Sequence, residues 1–276
     1  MNRKKLRRWI CICVFLAAVT GGLIFFADRA AAPKPQTVVN TTENTQSSEQ
    51  NETTDQQTTE PVITEHLNVS RPPFVSPIDF QKLRKKVNPD IIARLIIPGT
   101  SINYPVPRSE KKEDSYYLTH NLNGSAGYPG CNYMEKYNAA DFTDPVTVLY
   151  GHNMRDGSSF GALHKYESKK YFRQHRTIYI YTPDKTNIYK VIAAAAFDNR
   201  HLLGSYDYTT DQGALPLWKD VLAYDDPMTI LADDADVSAD DHLLVLSTCI
   251  SGRKKNRWLI IAVLVETKDS GETGIY

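Results

Sequence analysis

Cysteine is scarce in this chain, with four in 276 residues. Cys11 and Cys13 fall inside an apolar run, which leaves only Cys131 and Cys249 for a folded domain. Two isolated cysteines exclude a disulfide framework, although a single 131–249 bridge is open on count alone. No CxxC, HExxH or Walker pattern occurs, so neither a metal site nor a nucleotide site is signalled, and no cofactor is expected. A surplus of one charge is also missing, because 32 basic residues balance 32 acidic ones. A nucleic-acid binder would carry a basic face over its folded part. The acidic stretch "ADDADVSADDH" (232–242) lacks the spacing of a calcium-binding EF-hand loop and reads as a solvated surface segment.

One long apolar run does exist. Residues 9–27, "WICICVFLAAVTGGLIFFA", carry no charge and follow five basic residues in positions 1–8. Nineteen helical residues span ~28 Å, close to a bilayer's hydrocarbon core. The basic flank places that end in the cytoplasm. A cleaved signal peptide is the alternative, with Ala30-Ala31-Ala32 as its site, but such apolar regions run only ~7–15 residues. A single-pass anchor is therefore expected, with the rest of the chain outside the cell. Residues 28–72 are rich in Thr, Gln, Asn, Ser and Glu and cannot bury enough surface to offset chain entropy. They read as a disordered linker with a reach of ~35 Å. A folded domain is expected over 73–268, and a short tail over 269–276.

Within that domain, Ser76 as N-cap, Pro77 at the first helical position and Asp79 in capping-box spacing predict a short helix. Its apolar stripe is Phe80, Leu83 and Val87. Strands are expected on either side of the turn 98–101 and at 130–135, 146–152, 177–182, 188–197, 243–249 and 258–265, with a hairpin turn at 184–186. Helical patterns cover 160–166 and 215–223. Many short strands with a few peripheral helices predict a mainly β fold, a closed or nearly closed β-barrel.

Three residues could carry chemistry together. Cys249 ends a strand just before the turn signal Ser251-Gly252, which puts its side chain at a barrel rim. A lone cysteine is more often an inert small hydrophobe. His152, in "TVLYGHNMRDGSSFG", also stands at a strand end. Arg257 opens the last apolar strand, which gives its guanidinium a fixed aim, whereas Arg253 lies within the preceding basic loop. A free thiol is only a few per cent ionised at pH 7, and a neighbouring imidazole and guanidinium favour the thiolate. Together they compose a nucleophile, a proton donor for a leaving amine and a donor to an oxyanion. Among the other histidines, His120 is a second candidate, His164 and His175 read as surface residues, and His242 lies ~23 Å down the Cys249 strand.

The segments "YGHN" and "LSTC" and the arginine opening the last strand, with "DSYYLTHNLNGSAGYPGCNYME" and "VLYGHNMRDGSSFGALHKY", resemble the sortases, and within them the class B branch. These are membrane-anchored cysteine transpeptidases of Gram-positive bacteria. The likeness runs in one consistent order over residues 73–266. It implies a sortase β-barrel with added helices, one of them at 215–223 before the nucleophile strand. It also implies a catalytic Cys249, His152 and Arg257, with Ser247 lining the site. The implied reaction cleaves a C-terminal sorting signal of a surface protein after threonine, through a thioester. The acyl group then passes to an amine of a cell-wall precursor or to a pilin lysine. Arg253 remains open as the alternative arginine. L,D-transpeptidases keep histidine and cysteine close in sequence, whereas 97 residues separate them here, and papain-like enzymes place cysteine before histidine. A membrane-tethered binding domain with an inert, buried Cys249 is the non-enzymatic alternative.

Overall fold

The computed structural model describes residues 76–269. The basic terminus, the apolar span 9–27, the linker 28–72 and the tail beyond 269 lie outside the described residues. Among the described residues, no helix is long and apolar enough to cross a membrane.

The first helix, α1 (Phe80–Lys86), begins three residues later than Ser76 would place it. Asp79 is the N-cap, its carboxylate accepting the Lys82 N–H at 2.8 Å. A carboxylate is both a strong cap and a favourable charge at a helix start. Val87, expected on the buried stripe, is the C-cap and is 45% exposed.

Strands β1 (Ile91–Ile96) and β2 (Asn103–Pro107) flank the expected turn. In β1, buried Ile91, Ala93 and Leu95 alternate with half-buried neighbours, the period of a strand with one face in a core. After α2 (Tyr116–Thr119) come β3 (Tyr133–Met134) and β4 (Val146–Tyr150), each shorter than expected. A 3-10 helix (Phe160–Glu167) and α3 (Lys169–Gln174) precede the hairpin of β5 (Thr177–Tyr181) and β6 (Lys185–Asp198). Then follow α4 (Leu202–Ser205), α5 (Leu215–Ala223), β7 (Ile230–Leu231), β8 (Leu243–Ile250) and β9 (Arg253–Asp269). The helix expected at 215–223 is α5.

The strands form one sheet in the order β2-β1-β5-β6-β9-β8-β4-β3, with β7 on β6. Its end strands, β2 and β3, approach each other, so the sheet curls into a nearly closed barrel rather than a closed one. All neighbours pair antiparallel except β4 and β8, which run parallel from Val146–Leu243 to Tyr150–Ser247.

Two cores follow from strand alternation. Leu244, Leu246, Trp258 and Ile260 point into the barrel with Leu95, Ile180 and Tyr166. Val146, Val148, Val245, Leu259 and Ile261 point outward and are covered by Leu217, Trp218 and Val221 of α5 and by Leu202 of α4.

Candidate active site

Cys249 shares its parity with Leu243, Val245 and Ser247, so its side chain lies on the outer face of the sheet, outside the cluster those residues form with the helices. The thiol is exposed, and Ile250 rather than Cys249 ends β8.

Arg257 is the direct cross-strand partner of Cys249. It does not open its strand, since β9 begins at Arg253. Ile250 would meet Asn256 in unbroken register but meets Arg253, a slip that bulges the chain immediately after Cys249. Gly252, at φ 77°, makes the tight turn.

His152 arrives from the other side. The last β4–β8 pair is Tyr150–Ser247, so two further residues on each strand carry His152 alongside Cys249. The approach is fixed by the Gly151 N–H donating to Ser247 O at 3.2 Å and by Thr248 Oγ1 donating to Gly151 O at 2.8 Å. A Cβ at position 151 would collide with Asn132 Oδ1 and the Phe160 ring, so glycine is required there. With strands ~4.8 Å apart, histidine, cysteine and arginine occupy three successive chains with cysteine in the middle.

All three line one cavity of about 320 Å³, as do Ser247 and Tyr150. His152 Nε2 lies 2.9 Å from Leu118 O. A carbonyl only accepts, so Nε2 carries the hydrogen and Nδ1 is left to exchange protons. The exposed Tyr128 ring covers the imidazole at 4.8 Å between centroids.

Arg257 makes one described hydrogen bond, Nη1 to Asn256 O at 3.1 Å, and no carboxylate among the described residues pairs with it. The two carboxylates of the cavity are engaged elsewhere. Asp198 accepts from Arg200 at 2.6, 2.8 and 3.0 Å, and those bonds hold it below the usual carboxylate range. Glu135 faces His201 Nε2 at 2.6 Å, and burial pushes its carboxyl up although His201 opposes the shift. The cationic charge of Arg257 is thus left facing the thiol's side of the sheet. Arg253, by contrast, is paired with Asp226 and lines a different cavity.

The remaining candidates scatter. His120 Nδ1 is bonded to Tyr116 O at 2.9 Å, its ring is stacked on Tyr116, and it does not line the cavity. His175 stacks on Tyr171, and His242 is tied to Asp144 O at the far end of β8. His164, read as a surface residue, instead reaches the Cys249 main chain at 3.0 Å. Glu135, Tyr150 and His201 line the cavity without having been singled out, because no local pattern marks them. In the acidic stretch, Asp234 pairs with Arg176 and Lys190 at 2.7 and 2.6 Å, and Asp241 accepts from Ser238.

Cys131 and Cys249 form no bridge. Cys131 Sγ donates to His120 O at 3.3 Å, and burial pushes its thiol up to about 11. At pH 8 about one Cys131 in a thousand is then thiolate. Iodoacetamide at that pH is expected to label exposed Cys249 well before Cys131, as read by peptide mapping. Equal labelling, or a shielded Cys249, would favour the binding-domain alternative.

Comparison with known proteins bears on the whole domain. A model of the sortase domain matches residues 95–265. The chain is 32% identical over 187 residues to sortase B of Listeria monocytogenes, covering 66% of this chain and 72% of that protein. It is 24% identical over 211 residues to sortase B of Staphylococcus aureus, covering 75% and 80% respectively. Among solved structures, sortase B of Bacillus anthracis in complex with a compound designated AAEK1 superposes with a TM-score of 0.60 at 26% identity, over 71% of this chain and 90% of that one. A Staphylococcus aureus sortase B–substrate complex shares the fold, with a TM-score of 0.60 at 24% identity over 70% of this chain and 87% of that one.

Proposed function

Because this chain belongs to the sortase family, on its class B branch, and is thus a cysteine transpeptidase, we propose that Cys249 is its nucleophile, His152 its proton carrier and Arg257 its oxyanion donor. The observation that carries this reading is the strand register, which sets Cys249 between the other two over one cavity.

The thiolate of Cys249 attacks the carbonyl carbon of the threonine in a sorting signal. The guanidinium of Arg257 donates to the oxygen as it gains charge. The C–N bond breaks, the protonated His152 gives its proton to the departing amine, and a thioester remains. A second amine then attacks the same carbon, losing a proton to His152 as the C–S bond breaks and the thiolate returns. Ser247 contacts the bound signal from the cavity lining.

The acceptor is an amine of a cell-wall precursor or of a pilin lysine, and the donor is a surface protein with a C-terminal sorting signal. The span 9–27 anchors the enzyme with its N-terminus in the cytoplasm, and the linker 28–72 holds the catalytic domain outside. Incubation with sorting-signal peptides and an oligoglycine or lysine amine is expected to give a new amide product that rises with amine concentration. Hydrolysis alone at every amine concentration would contradict transfer.

A further inference from the structure

The main-chain carbonyl of Cys249 is held by two side chains. Asn153 Nδ2 and His164 Nε2 both lie 3.0 Å from it. The reason lies in the sheet. The parallel ladder has the Gly151 N–H on Ser247 O, and its next rung would bring the Asn153 N–H to Cys249 O. β4 stops at Tyr150, so that rung is absent and the Asn153 amide replaces it. On the other strand the register slips directly after Cys249. The nucleophile position therefore has weak ladder support on both sides, and His164 supplies what is missing.

His164 is itself firmly seated. Its side chain is 20% exposed, and its ring stacks near-parallel to that of Trp258, with centroids 6.1 Å apart. Trp258 is fully buried, and its Nε1 donates to Leu163 O at 3.1 Å. His164 Nδ1 lies 2.5 Å from Glu167 Oε1, across the i,i+3 spacing at which side chains eclipse in a 3-10 helix. Nε2 meets a carbonyl, which only accepts, so Nε2 carries the hydrogen of that contact, and Nδ1 faces the Glu167 carboxyl. Around it stand Glu167 from its own helix, Arg155 from the loop after β4, and Arg253 from β9, which Asp226 neutralises. These groups line a cavity of about 480 Å³, separate from the one that holds the thiol.

We propose that His164, backed by Glu167, is a positioning residue that, with Asn153, fixes the Cys249 peptide so that the thiol stays between His152 and Arg257. This rests on Cys249 being the nucleophile.

The test uses the full chain carrying His164→Ala, His164→Gln or Glu167→Gln. Acyl-enzyme formation with sorting peptides, iodoacetamide labelling of Cys249 by peptide mapping, and thermal unfolding are measured together. His164→Ala is expected to lower kcat for acylation about ten- to a hundredfold, with KM within about twofold, and to slow Cys249 labelling severalfold. His164→Gln keeps an N–H within reach and is expected to stay within about threefold of wild type. Glu167→Gln keeps the ring and weakens its support, giving the same split at smaller size. Wild-type kcat in His164→Ala overturns the proposal, as does glutamine performing no better than alanine at equal thermal stability. If His164→Ala does not fold, wild-type kcat in Glu167→Gln overturns it instead. Should the wild-type chain form no thioester, the proposed activity falls, and equal labelling of Cys249 in wild type and variants would separately end the role of His164.

Discussion

Cys249→Ala is expected to form no acyl-enzyme and to release no product, while His152→Ala keeps its thiol and acylates about a thousandfold more slowly. The two losses differ in kind. Without sulfur there is no atom to carry the acyl group. Without the imidazole the thiolate still forms at high pH, but the departing amine has no proton donor. The His152→Ala defect should therefore shrink for a substrate whose leaving group needs no proton, such as an activated thioester. Both variants should keep the native fold: Cys249 is exposed, and the described side-chain contacts of His152 are one hydrogen bond to Leu118 O and a tilted stack on exposed Tyr128. Unfolding curves alongside the rates check this. A His152→Ala variant acylating at the wild-type rate would remove histidine from the mechanism.

The second large effect separates two arginines that sequence alone left in competition. Arg257→Ala is expected to lower the acylation rate about a hundred- to a thousandfold, the usual cost of losing an oxyanion donor. Arg253→Ala should leave the rate within a few-fold but lower the melting temperature, because Asp226 loses its partner. That pair raises the affinity of Arg253 for its proton and holds Asp226 below the usual carboxylate range, through their hydrogen bonds. The lowered Asp226 value means stability that is present above its unfolded value and lost as pH falls through the lower, folded one. The melting difference between wild type and Arg253→Ala should accordingly narrow in acid. If Arg253→Ala proves the damaging change for rate and Arg257→Ala the mild one, the roles must be exchanged.

Alternating or continuous apolar runs were enough to find most of the strands, because burying one face or both leaves a short-range pattern. That pattern located β8 and β9, and with them Cys249 and Arg257. It could not reveal that β4 runs parallel to β8, since strand pairing across 97 residues leaves no local trace. Family resemblance, rather than periodicity, carried His152 to the same site. Ends were less legible than middles. Ser76 reads as the N-cap with Asp79 in capping-box spacing, whereas Asp79 itself is the cap, its carboxylate taking the Lys82 N–H. The start of β9 was misplaced because "RKK" looks like a solvated loop, whereas its backbone still pairs. Elements of two to four residues, such as β7 and α4, are too short to show any period. His164 reads as a surface residue for a different reason: its partner is a main-chain carbonyl 85 residues away, and every residue type has one.

The central claim is most directly tested by mass spectrometry of the full chain, quenched in acid shortly after mixing with sorting-signal peptides. The expected result is an added mass equal to the peptide fragment ending in threonine, mapped to Cys249 and released by hydroxylamine. Product formation with no adduct at any time, or an adduct mapped to Cys131, would contradict it.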